Sequence, residues 1–242
     1  MPDKRTHRGQ HPADGRLFAD RAVGDLRTAV NDFSLLLTKS YAEKSALKLV
    51  CDKFALTQRQ RLAVMRCSCS DQQLAERKQK EIPIVQAANR LVAIDGYNVL
   101  ITIEAALSNS FIFKGRDNCL KDIAGIHGTY RKVTETIPAV ELIGTFLEES
   151  GIANVLWLLD SPVSNSARLK ALIAEIANKH NWNWQIELSQ NPDKPLSETD
   201  SIAATSDGII LDNCKTWLNL AAEIIKQKLT SAEIIDLSTV NQ

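Results

Sequence analysis

Asp95, Asp160, Asp193 and Asp207 each stand at or shortly after a short run of strand-forming residues, namely Leu91–Ile94, Val155–Leu159, Trp184–Leu188 and Ile202–Thr205. In an open parallel sheet the ligand crevice lies beyond the carboxyl ends of the strands, so acids placed there can meet although the chain separates them widely. Each pair of carboxylates brought within ~4 Å costs roughly 4 kcal/mol at an effective dielectric near ~20, before any desolvation. A bound divalent cation offsets that repulsion. Oxygen donors without a completed set of histidines or thiols suit magnesium or manganese better than zinc. Such an ion polarises a phosphoryl oxygen and acidifies a bound water, which is the chemistry of phosphodiester hydrolysis. Asp95, Asp160 and Asp207 are therefore the expected catalytic acids, and together with Asp193 and Asp212 the expected metal ligands. Glu198 and Asp200 lie close enough in sequence to compete for a place. An aspartate after a strand also serves as a helix N-cap, and Asp212 fits that role equally well ahead of a helix expected over 216–229.

Two kinds of element must position these acids. From Leu17 to Leu37 apolar residues recur every three or four positions (Phe18, Ala22, Leu26, Val30, Phe33, Leu36), which predicts one long amphipathic helix. Shorter helices are expected over 40–54 and 57–65, the second opened by a capping box between Thr57 and Gln60. Residues 68–81 lack an apolar face and read as a linker, with the boundary between 70 and 85. After it, short apolar runs alternate with amphipathic helices over 139–149, 166–179 and 216–229, and a last strand is expected over 234–237. The segment 108–131 is poorly patterned, a hairpin excursion or a mobile loop. Runs apolar on both faces fit strands covered by helices on both sides. The expected fold is thus α/β with a parallel sheet over residues 81–242, preceded by a small all-α domain over residues 1–80.

The formal charge is zero, yet residues 1–80 carry 16 basic and 9 acidic side chains while residues 81–242 carry 13 and 20. The first unit is expected to attract polyanions and the second to hold cations. No apolar run approaches the ~20 residues of a membrane span, and the first thirty residues lack a signal-peptide core. Five irregularly spaced cysteines do not form a disulfide framework. Together these point to a cytoplasmic protein with reduced thiols.

Around the first acid runs Ile94-Asp95-Gly96-Tyr97-Asn98-Val99-Leu100, where Gly96 permits a close turn beside a ligand and Asn98 can bond backbone or a metal-bound water. This segment resembles the first-strand motif of PIN-like nucleases of the NYN type. Ala204-Thr205-Ser206-Asp207-Gly208-Ile209-Ile210 resembles the later Thr-Ser-Asp motif of that superfamily, and Leu159-Asp160 its middle strand-end acid. Nearly the whole chain is similar to a bacterial and archaeal family that joins a small helical domain of unknown function to a PIN-like domain. Arg8-Gly9-Gln10-His11-Pro12, Ser45 to Val50 and Gln58-Arg59-Gln60-Arg61 carry the helical part; Gly125 to Tyr130 and Asp160 to Ser166 carry the PIN-like part. The resemblance implies a PIN-like α/β fold, a divalent metal, RNA as substrate and a supporting role for Asn98; Ser206 beside Asp207 is a further supporting residue, and Ser161 at a helix start supports the site through a phosphate contact or serves as an ordinary cap. The acid that the middle helix of a PIN domain supplies has Asp193, Glu198 and Asp200 as rival counterparts.

Nucleic-acid contacts are expected from Lys44, Lys48, Arg59 and Arg61 on two successive helices, from Arg116 in the unpatterned segment, and from Ser164 and Asn165 at a helix start. His127 reads as a loop residue or a substrate contact. His7 and His11, interleaved with Arg5 and Arg8, read as a polyanion contact; Cys67 and Cys69 as buried thiols; Trp184 as core, with Trp182 open between core and base stacking. Two functions stand: a magnesium- or manganese-dependent nuclease acting on RNA, or a catalytically inactive PIN-like nucleic-acid-binding or scaffold protein.

Overall fold

The computed structural model describes residues 6–124, 128–198 and 200–238. The readings made for Arg5 and for Gly125 to His127 lie outside them. Five helices come first: α1 (Asp14–Leu17), α2 (Asp20–Thr38), α3 (Glu43–Lys53), α4 (Gln58–Cys67) and α5 (Asp71–Lys80). Then follow β1 (Leu91–Asp95), α6 (Gly96–Leu107), β2 (Ile112–Lys114), β3 (Leu120–Lys121), α7 (Thr136–Glu149), β4 (Asn154–Asp160) and α8 (Ser166–His180). The chain continues through β5 (Trp184–Ser189), α9 (Asp193–Glu198), β6 (Ile202–Ala204), α10 (Gly208–Asn213), β7 (Trp217–Leu218), α11 (Leu220–Lys228) and β8 (Ile234–Asp236).

The main sheet has the order β5-β4-β1-β6-β7 and every pairing in it is parallel. Its strands alternate between two buried faces, as the pleat requires. Val92, Ile94, Val155, Trp157, Leu159, Ile202 and Ala204 face a core shared with α6, α7, α8 and α11. Ala93, Leu158, Ala203 and Trp217 face the opposite side, where Leu196 of α9 and Ile210 and Leu211 of α10 cover them. Burial on both faces explains the continuous apolar runs.

The helical unit packs around Leu26, Ala29, Val30, Phe33, Val50 and Val64, and its core extends into Phe113, Ile123 and Leu237. Phe18 meets Phe113 edge-on at 4.7 Å. A second sheet of order β3-β2-β8 therefore closes the bundle.

Four expectations change. The first helix is interrupted, with α1 ending at Leu17 and α2 beginning at Asp20. Residues 68–81 are not a linker: α5 forms there, opened by a capping box in which Ser70 and Gln73 each hold the other's backbone N–H. Its lack of an apolar face follows from its position, since α5 bridges the two units through Arg77 rather than through a core stripe. The helix expected over 216–229 begins later, because Trp217 and Leu218 pair with β6 and only Leu220–Lys228 is helical. The strand over 234–237 joins β2 in the second sheet, not the parallel one.

Candidate active site

Strand register brings the acids to one rim and one face. Asp95, the last residue of β1, is level with Leu158 of β4, and Asp160 lies two residues beyond Leu158. Equal parity puts both carboxylates on the face covered by α9 and α10, about 6.6 Å apart along the strand direction at ~3.3 Å per residue. That face also carries Asp193, which opens α9, and Asp207, which caps α10 by accepting from the Ile209 N–H at 2.8 Å. The chain leaves β1 for β4 on one side and returns to β6 on the other, so Asp95 and Thr205 flank the point where strand order reverses.

At this point the Thr205 hydroxyl donates to Asp95 Oδ2 at 2.7 Å. Asn98 Oδ1 accepts from both the N–H and the hydroxyl of Ser206, at 2.8 and 2.9 Å, tying the exit of β6 to the first turn of α6. Gly96 makes the corner between β1 and α6 possible, since a Cβ there would lie 2.5 Å from Leu159 Cδ2 and 2.8 Å from the Leu158 carbonyl oxygen.

Burial pushes the Asp95 acid up to about 7, and the charges of Asp207, Asp160 and Asp193 add to the rise against the Thr205 hydrogen bond. Asp160 is raised by its own burial and by Asp193, and Asp193 by its own burial and by Asp207. The four acids thus form one electrostatic neighbourhood. Other buried carboxylates have a basic side chain as partner: Asp14 has Arg59, Glu104 has Arg8, Asp117 has Arg77 and Lys121, Asp122 has Arg66, and Glu135 shares a hydrogen bond with His7. Among the described residues, Asp95 is the buried acid without a cationic side chain. Tyr97 Oη and Ser161 Oγ, near Asp160, are buried without a hydrogen-bond partner. Among the described residues no group of three or more histidine, cysteine, aspartate or glutamate side chains is placed to hold a metal ion.

The rival acids separate cleanly. Asp193 joins the neighbourhood, whereas Asp200 is exposed and pairs with Lys215 at 2.6 Å, and Glu198 is exposed at the far end of α9. Asp212 is engaged on the helical side instead: its two oxygens accept from Arg77 Nε and Gln73 Nε2, both at 2.7 Å. It does not cap the next helix, being inside α10 itself.

Several expected nucleic-acid contacts are engaged within the chain. Lys48 and Arg61 both pair with Asp52, Arg59 grips Asp14 with two nitrogens, and Arg116 pairs with Asp71 while donating to the Cys69 carbonyl. Lys44 is exposed on α3. Ser164 is exposed, and the Asn165 amide donates to the Tyr130 carbonyl at 2.9 Å. Trp182 stacks between His180 and Trp184 and fills the space over Gly144, so it is a packing residue. All five cysteines are buried and free.

Sequence reasoning missed Arg77. Its Nη1 reaches Asp117, its Nε reaches Asp212 and its Nη2 reaches the Gly208 carbonyl, beside Asp207. The readable signal was the capping motif that makes α5 a helix. A cleft of about 340 Å³ lies between α2, α4 and α5 on one wall and Asn98, Ser206 and Asp207 on the other.

A parallel α/β sheet with an acidic carboxyl rim, fronted by a basic helical unit, is the class that these features define. The chain belongs to the family described as "Domain of unknown function (DUF5616)", which matches residues 84–223, more than half its length. "Protein of unknown function (DUF434)" matches residues 25–80, within the helical unit. An uncharacterized protein of Methanocaldococcus jannaschii is 29% identical over 203 residues, covering 83% of this chain and 97% of that one. No solved structure matches. Among the described residues no helix is long and apolar enough to cross a membrane.

Proposed function

We propose that the chain is a divalent-cation-dependent phosphodiesterase of PIN-like type acting on nucleic acid, with RNA as the substrate that the motif resemblance implies. One observation carries the reading: Asp95 is a buried carboxyl surrounded by three further carboxylates and no cationic side chain. An uncompensated buried charge is costly, and among the described residues every other buried acid has a basic side chain as partner. A protein tolerates such a defect where a ligand removes it.

The chemistry of the donors, though not a preformed cluster, suits magnesium or manganese. Asp95, Asp160, Asp193 and Asp207 offer hard oxygens without histidine or thiol, and the orphan hydroxyls of Tyr97 and Ser161 leave polar atoms for a hydrated ion. Asp193 is the acid that stands in for the middle-helix carboxylate. When bound, the ion would polarise a phosphoryl oxygen and supply an activated water. Thr205 would fix the Asp95 carboxyl, while Asn98 and Ser206 would hold the loop that presents Asp207. Buried reduced thiols support a cytoplasmic setting.

The test is cleavage of labelled RNA with and without manganese, using wild type, Asp95→Asn and Asp207→Asn. Cleavage that needs the metal and is lost in both folded variants is the expected result; undiminished cleavage by both variants in chelator overturns it. A second reading, an inactive nucleic-acid-binding scaffold, is the other outcome of this test. That reading requires salt-dependent binding without turnover, and calorimetric manganese binding together with turnover removes it.

A further inference from the structure

We infer that Arg131, Lys132 and Arg168, on the α/β unit, form the surface that holds the phosphodiester backbone of a nucleic-acid strand on its way to the acidic rim. The inference rests on the proposed activity for its direction, but not for its chemistry.

The helical unit carries the excess of positive charge, yet Lys48, Arg59 and Arg61 already serve Asp52 and Asp14. Lys53 pairs with Asp32 and Arg66 with Asp122. Arg131, Lys132 and Arg168 differ from these and, unlike the exposed Lys44 of α3, share one concavity. All three are exposed and, among the described residues, none is paired with a carboxylate. They line a concavity of about 670 Å³ together with Tyr130, Asn165 and Glu175, the last being its one acid. That volume is too large for a lone phosphate and suits a run of chain.

Local geometry fixes the three cations relative to one another. Asn165 Nδ2 donates to the Tyr130 carbonyl and its Oδ1 lies 3.5 Å from Arg168 Nη1, so one side chain ties the Tyr130–Lys132 stretch to the start of α8. Thr129 and Ser164 form a parallel bridge beside it. The patch also adjoins the rim. Tyr130 packs against Tyr97 with ring centroids 5.3 Å apart, and Tyr97 stands two residues after Asp95 in the first turn of α6. Four clustered carboxylates repel a polyanion, and unpaired cations beside them supply the attraction that brings one there.

The test uses fluorescence anisotropy of a 5′-fluorescein-labelled single-stranded dodecauridylate in EDTA over a potassium chloride series, so neither metal nor turnover enters. Three phosphate contacts give a slope of log affinity against log salt of about −2, at ~0.7 per phosphate on a single strand. Arg131→Ala/Lys132→Ala/Arg168→Ala is expected to flatten that slope towards zero and weaken binding roughly tenfold or more at low salt. Lys48→Ala/Arg61→Ala is expected to leave slope and affinity nearly unchanged. Asp95→Asn is expected to bind at least as well as wild type. Unchanged slope and affinity in the triple variant overturn the inference, as does loss of phosphatidylserine-vesicle binding in that variant with no oligonucleotide binding by wild type. Failure of metal-dependent cleavage would overturn the proposed activity and leave this binding result standing.

Discussion

The Thr205 hydroxyl, at the exit of β6, is the hydrogen-bond donor found for the buried Asp95 carboxyl at the end of β1. Register brings the two within reach: Ile94 is paired with Ala204, so the next residue of each strand is level with the other. A single neutral donor therefore works against burial and three negative charges.

Thr205→Val keeps the shape and removes the donor. Leaving a buried acceptor unpaired costs about 1–3 kcal/mol, and the Asp95 acid should rise further because the bond that lowers it is gone. Urea unfolding at pH 8 without metal should show the loss, and the loss should shrink at pH 5, where Asp95 is protonated. A loss equal at both values would assign it to the Asp207 N–H, which donates to the same hydroxyl at 3.0 Å, and not to Asp95.

The pH dependence of the metal-free protein has a defined sign. The Asp95 acid lies at about 7 folded against an ordinary 3.8, so between those values the native state holds a proton that the unfolded chain has released. Stability from this group therefore falls as pH rises from about 4 to 7, by an amount on the order of a few kcal/mol. Asp95→Asn should remove that fall, and millimolar manganese should restore wild-type stability at pH 8. Parallel stability curves for the two proteins would sink the assignment.

Arg77 joins the helical unit to the α10 loop while neutralising Asp117, which is 5% exposed. Arg77→Ala should cost about 3–5 kcal/mol, the usual result of stranding a buried charge. Asp212→Asn, which keeps the acceptor, should cost much less. Equal denaturant midpoints for wild type and Arg77→Ala would show that Lys121 alone suffices for Asp117.

Gly96→Ala forces a methyl group against the Leu158 carbonyl, which cannot swing aside as a side chain can. Overpacking of this kind costs about 1–3 kcal/mol and should move Asp95 relative to Asp160. Manganese affinity by calorimetry should drop in the folded variant. An unaltered affinity would mean that the β1–α6 corner does not position the site.

Much of this arrangement was legible beforehand, and particular residues show why. Leu91–Asp95 and Asn154–Asp160 alternate between two buried faces, and that alternation is a property of the pleat of each strand alone. The Thr57–Gln60 capping box is equally local, closed within one turn of helix. Asp95 and Asp160 could be placed at strand ends for the same reason, whereas Asp207 lies three residues beyond β6 as the N-cap of α10.

What the chain order left open was which charges remain free. Asp212 and Asp193 are alike as residues, yet Arg77, 135 positions from Asp212, removes one from the rim while the other stays. Arg59 is cationic in any sequence, but Asp14, 45 positions away, decides that it holds the bundle together instead of a phosphate. Ile234 looks like any strand residue and pairs with Ile112, across more than a hundred residues, in a sheet of its own. Periodicity is written by the backbone a few residues at a time, whereas the partner of a charge is fixed by contacts of about 3 Å between elements that meet only when the chain is packed.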